Sequence, residues 1–149
     1  MIALIALALT CILFLPASAA ADALPTTVIV AEDAHRTEAL AAEELARYME
    51  TAGDREVPVA TAPPADEVGA IYVGGAAQCE VPADLAADGF VIERHGADAH
   101  LCGVDPRGTL YAAYRYLEEA VGWRWLQPGT SGEALTGSGD PAFPRERIV

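Results

Sequence analysis

The stretch from Asp105 to Leu126, DPRGTLYAAYRYLEEAVGWRWL, reads as a helix start, an amphipathic helix, a helix stop and an aromatic strand in direct succession. Pro106 suits the first helical turn, where its missing N–H has no intrahelical partner to lose, and Asp105 before it can accept from the free amides. Leu110, Ala113, Tyr114, Leu117 and Val121 recur every three or four residues and form one apolar stripe, with Arg115, Glu118 and Glu119 opposite. Gly122 supplies the left-handed residue that ends a helix. Trp123, Arg124, Trp125 and Leu126 then alternate faces as a strand does. A helix that folds back onto a sheet follows, and the stretch offers no nucleophile, metal cluster or phosphate loop.

Upstream, TTVIVA (26–31) reads as a strand and Asp33 as a cap for the helix after it. That helix places Ala41, Ala42, Leu45, Tyr48, Met49 and Ala52 on one face and ends at Gly53. Val57–Thr61 is a second strand, weakened by Pro58, and Pro63 and Pro64 break the chain. Ala70–Val73 reads as a buried strand running into Gly74 and Gly75, a tight turn with no GxGxxG or Gly-Lys-Ser/Thr pattern. Gly89–His95 and Ala99–Val104 form a hairpin around Gly96-Ala97-Asp98. The order strand, helix, two strands, hairpin, helix, strand predicts an α+β fold, a mixed β-sheet with two helices packed on one face. Gly129–Asp140 reads as an irregular connector.

Met1–Ala21 carry no charged residue, and the apolar run Ile2–Leu15 ends in Pro16 and a small-residue segment with the A-x-A spacing of a signal-peptidase site. Residues 1–21 are therefore read as a signal peptide, despite an n-region without Lys or Arg, and the product as secreted or periplasmic. Cys11 lacks a lipobox before it, so no membrane attachment is expected after cleavage. The whole formal charge of −13 falls on the exported part, whose basic residues are all Arg. That balance opposes nucleic-acid and anionic-membrane binding, both of which need a clustered basic face. Cys79 and Cys102 could pair in an oxidising compartment, but two buried free thiols are the preferred reading.

Candidate chemistry is sparse. His35, His95 and His100 show no metal-ligand spacing, so no metal and no cofactor is expected. The serines of the exported part, Ser131 and Ser138, lie in the connector outside any GxSxG elbow. Glu43-Glu44 and Glu118-Glu119 diverge by about 100° on their helices and read as solvated faces. Trp123 and Trp125, with Arg124 between them, are candidates either for stacking on sugar rings or for packing at a domain interface.

Several segments, in this order, resemble the N-terminal accessory domain of bacterial glycoside hydrolases: TTVIVA, Ala41-Ala42-Glu43-Glu44-Leu45, Ile71-Tyr72-Val73-Gly74, Asp88-Gly89-Phe90-Val91-Ile92, Pro106-Arg107-Gly108-Thr109-Leu110-Tyr111, Leu117-Glu118-Glu119 and Gly122-Trp123-Arg124-Trp125. The chain is similar over residues 26–128 to the domain preceding the barrel in α-glucuronidases of family 67 and to its relative in β-hexosaminidases of family 20. The resemblance implies a β-hexosaminidase domain-2-like fold over residues 22–128 that is not itself catalytic. It implies that the acid and base of the hydrolase lie on a following (β/α)8 barrel, the domain's partner. Residues 129–149 then form a linker leading toward a barrel that this sequence does not contain, and no catalytic residue carries over. The expected function is carbohydrate catabolism through polysaccharide degradation, as part of a secreted α-glucuronidase-like glycosidase. The alternatives are a free-standing module binding a polysaccharide or protein, which needs an exposed, coplanar Trp123/Trp125 platform, and a small independent enzyme, which needs a pocket gathering His95, His100 and a carboxylate.

Overall fold

The computed structural model describes residues 24–65, 69–145 and 147–149; residues 1–21, read above as a signal peptide, lie outside the described residues. The elements are β1 (Thr27–Val30), α1 (Arg36–Gly53), β2 (Val59–Ala60), β3 (Ala70–Val73), β4 (Phe90–His95), β5 (Asp98–Gly103), α2 (Pro106–Tyr116), β6 (Trp123–Trp125) and β7 (Glu133–Leu135). The main sheet has the order β2-β1-β3-β5-β4. β1 runs parallel to β2 and β3, and β3 parallel to β5, while β4 pairs antiparallel to β5 through the hairpin. This is the mixed sheet of an α+β domain, and α1 and α2 pack side by side on one of its faces.

Strand alternation divides the sheet residues between two buried faces. Val28, Val30, Ile71, Val73, Ile92, Ala99 and Leu101 join Ala41, Ala42, Leu45, Met49, Ala112, Ala113, Tyr116 and Leu117 in one core between sheet and helices. The opposite face carries Thr27, Ile29, Tyr72, Val91, His100 and Cys102. The 3-10 turn Gly74–Ala76 follows β3 beside β1 and β5, and a disulfide from Cys79 ties the segment after it to Cys102 on that opposite face. The preferred reading of two free thiols is therefore corrected: parallel strands buried on both faces need a second cover, and this irregular segment is cross-linked where a helix would pack by itself.

Other corrections are local. α1 is capped by His35 rather than Asp33: His35 Nδ1 accepts from the Thr37 amide, and Glu38 reaches back to the His35 amide. The second strand shrinks to Val59–Ala60 because Pro58 donates nothing and the edge is exposed. The buried stripe of α2 is Thr109, Ala112, Ala113 and Tyr116, continuing through Leu117, Ala120 and Val121; Leu110 and Tyr114 lie on its flank. Small residues let this helix sit close to the sheet, and a π-helical turn over Leu117–Val121 shifts the phase of its last turn. Gly122 ends it with φ of 93°, where an added Cβ would meet the Gly139 backbone. The segment expected to be wholly irregular contains β7, which pairs with β6 in a separate two-stranded sheet, Trp125 opposite Glu133. Three-residue strands leave no periodic signal in so polar a sequence.

Candidate functional site

The outer side of the helical layer and the β6–β7 hairpin enclose an open cleft of about 720 Å³, lined by Glu44, Arg47, Tyr48, Tyr114, Trp125 and Glu133 and continued by Leu126 to Gly129. Spacings of three and four residues bring Glu44, Arg47 and Tyr48 to one edge of α1, and α2 presents Tyr114 beside them. The strand pairing of Trp125 with Glu133 supplies the far wall.

Hydrogen bonds fix each wall. Trp123, only 6% exposed, donates its indole N–H to the Tyr48 carbonyl at 3.0 Å. The Trp125 indole donates to the Tyr48 hydroxyl at 3.2 Å, and that hydroxyl donates to Glu133 Oε1 at 2.9 Å. Tyr114 donates to Glu44 Oε2 at 3.0 Å, where Arg47 also donates at 2.7 Å. Partial burial, with the Glu44 carboxylate beside it, pushes the Tyr114 phenol up to about 12. The Arg47 guanidinium lies 4.0 Å from the centroid of the Tyr48 ring. Arg124 is structural: it donates to the Glu118 and Trp123 carbonyls at the end of the π turn.

Trp123 and Trp125 are thus not one platform. Both stand edge-on to Tyr48, Trp123 sealed in the core and Trp125 half-buried at the cleft wall. Sequence reasoning singled out the tryptophans but missed their setting, Tyr48, Tyr114, Glu44 and Glu133. The hydrogen bonds that join these residues span sequence separations of 70 and 85, beyond any local pattern.

A second cluster lies on the opposite face of the sheet. Tyr72 stacks on His100 at 4.7 Å between centroids, and His100 meets His95 at 4.3 Å. His95 Nε2 is 3.2 Å from Glu93 Oε2, and Arg147 bonds the other Glu93 oxygen at 2.6 Å. The structure does gather the two histidines and a carboxylate, yet each is already engaged. His100 is 5% exposed and its Nδ1 accepts from the Gln78 amide at 3.0 Å. Burial, followed by the neighbouring His95, lowers the His100 pKa. The adjoining cavity of about 300 Å³ is bordered by Glu80, Glu93, His95 and Arg147 rather than by His100. Among the described residues no three His, Cys, Asp or Glu side chains converge as metal ligands. His35 sits apart as the helix cap. At Gly74 (φ 57°) the Glu38 carboxylate occupies the space a Cβ would enter.

These features define a class: a two-layer α+β domain whose helical layer carries an open aromatic and acidic cleft. The family described as glycosyl hydrolase family 67 N-terminus matches residues 15–116, and the chain belongs to that family; it is an accessory domain of the glycoside-hydrolase kind. No curated protein matches it. Among solved structures it is similar to a GH138 enzyme targeting pectin rhamnogalacturonan II, at 20% identity and a TM-score of 0.48 over 62% of this chain. The matched region spans 10% of that enzyme's chain. Among the described residues no helix is long and apolar enough to cross a membrane.

Proposed function

We propose that this chain is the non-catalytic N-terminal domain of a secreted, α-glucuronidase-like glycoside hydrolase that degrades polysaccharide, with the catalytic carboxylates on a (β/α)8 barrel following residues 129–149. The carrying observation is family membership across residues 15–116. Export through residues 1–21 is supported by the Cys79–Cys102 disulfide, a bond that persists in oxidising compartments such as the periplasm or the extracellular medium. Docking of the barrel on the helical side is supported by the side chains left open there. Leu126 is 78% exposed, and Leu40 and Tyr111 on the two helices are also exposed.

The test is to express residues 22–149 alone and the product of the same reading frame extended past Val149, and to assay both on glucuronoxylan and on an amino-sugar polymer. Hydrolysis by the extended product alone is the expected result. Turnover by residues 22–149 alone, or an extended product that hydrolyses no glycoside, would overturn the reading.

A further inference from the structure

We infer that the cleft between the helical layer and the β6–β7 hairpin is an anchor pocket for a cationic side chain, an arginine or lysine presented by the protein surface that docks on this face. The inference rests on the docking role proposed above and names the chemistry of that contact.

Ring geometry comes first. Trp125 stands at 89° to Tyr48 and at 90° to Tyr114, with centroids 5.3 Å and 5.0 Å away. Two tyrosine rings, each perpendicular to Trp125, wall one side of the cleft with it. A sugar stacks on one flat exposed face, whereas a cation gains from several ring quadrupoles around it. Charge points the same way. Among the lining residues Glu44 and Glu133 contribute two carboxylates and Arg47 one guanidinium, a balance of −2 + 1 = −1. A neutral or anionic guest leaves that charge uncompensated, and a monocation neutralises it.

The cleft already contains a working copy of the contact. Arg47 sits over the Tyr48 ring while bonding Glu44. Glu133, in contrast, accepts from the neutral Tyr48 hydroxyl and among the described residues forms no ion pair, so it is the carboxylate left for a guest. A protein side chain fits better than a free small cation for two reasons. The cleft is open at about 720 Å³, well beyond one guanidinium, and its rim runs on to exposed Leu126 and Pro128. An apolar rim around a polar anchor is the anatomy of a protein contact. The net charge of −13 also draws basic surfaces toward the domain.

The test uses the full chain labelled with ¹⁵N and its two indole N–H signals, titrated at low ionic strength with three probes. These are an acetyl-Gly-Arg-Gly-amide peptide, the same peptide with neutral citrulline for arginine, and xylobiose. The arginine peptide is expected to move the Trp125 signal in a saturable way while Trp123 stays in place, and the other two probes to move neither. Glu133→Gln keeps the acceptor for Tyr48 and is expected to weaken binding about 5-fold. Arg47→Gln removes the resident cation and is expected to tighten it by a similar factor. A role of these residues in folding alone would not make the two variants change affinity in opposite directions.

Equal shifts with the citrulline peptide, a xylobiose shift at Trp125, or no shift with any probe would each overturn the inference; the xylobiose result would make the cleft a glycan site instead. The assay on the extended product stays independent of this titration. Arginine binding without hydrolysis removes the glycosidase reading alone, and hydrolysis without arginine binding removes the anchor pocket alone.

Discussion

The two faces of the five-stranded sheet are covered by opposite means. On one face α1 and α2 bring periodic apolar side chains into a shared core with Val28, Ile71, Ile92 and Leu101. On the other, the irregular segment after Ala76 is tied down by the Cys79–Cys102 disulfide and by the Gln78 amide on His100. The comparison shows what each cover needs. An amphipathic helix satisfies its own backbone and buries a stripe, so packing holds it. An irregular segment does neither well, and a covalent closure offsets the entropy of ordering it.

The largest effect should come from the helical side. Trp123→Ala removes a buried indole that packs edge-on to Tyr48 and donates to its carbonyl, and is expected to cost about 3–5 kcal/mol. Trp125→Ala, at the half-buried cleft wall, should cost less than half as much. Urea denaturation of the two variants checks the contrast. Equal losses would mean that Trp125 belongs to the core and the cleft wall is mere packing.

Next in size is the cross-link. Cys79 and Cys102 are 23 residues apart, and replacing both with alanine is expected to cost about 3 kcal/mol. The distribution matters more than the sum. Hydrogen exchange should rise first across residues 77–89 and at the β5 end carrying Cys102, while α1 and α2 keep their protection. Uniform loss over both faces would abolish the distinction between a packed cover and a tied one.

The same contrast explains how much was legible in the residues alone. Both helices, the hairpin and the mixed sheet follow from apolar periodicity, from Pro106 and from Gly122. The pairing of Cys79 with Cys102 did not follow, because nothing in the composition distinguishes two buried thiols from a bridge. Nor did β7, three residues long between Gly132 and Thr136. Of the cleft, Trp125 was visible as a large aromatic. Glu44 reads in sequence as part of a solvated face, because its tie to Tyr114 depends on where α2 lies beside α1.

A pH titration sharpens the comparison further. Burial, and after it the nearby His95, holds the His100 pKa below its ordinary 6.5, with Asp98 and Glu93 opposing. Below 6.5 the unfolded chain therefore takes up a proton that the folded chain resists. Stability from this residue is full above that value and falls as the pH drops toward the folded pKa. His100→Gln should flatten the urea midpoint between pH 7 and 5.5. Glu93 acts in a lower window: burial raises its pKa, but Arg147 and His95 together bring it below the ordinary 4.5. Its contribution is present above 4.5 and lost beneath it. A slope unchanged by His100→Gln would show that the disulfide face tolerates a charge in its ring stack.

The smallest expected change is a gain, on the helical face. Tyr116 is fully buried, its ring 6.3 Å from Phe143, and among the described residues its hydroxyl has no hydrogen-bond partner. Burial pushes its pKa well up, so the group stays a neutral phenol with its donor and acceptor both desolvated. Tyr116→Phe keeps the ring and removes only that oxygen. Since an unsatisfied buried polar group costs about 1–3 kcal/mol, the variant should be more stable by about 1 kcal/mol once the cavity left by the oxygen is allowed for. Its urea midpoint should rise with the slope unchanged. A loss of stability would reveal a hydrogen bond at Tyr116. The helical cover would then depend on a specific polar tie, as the disulfide-bound cover does, and the difference between the two faces would narrow to the kind of tie each one uses.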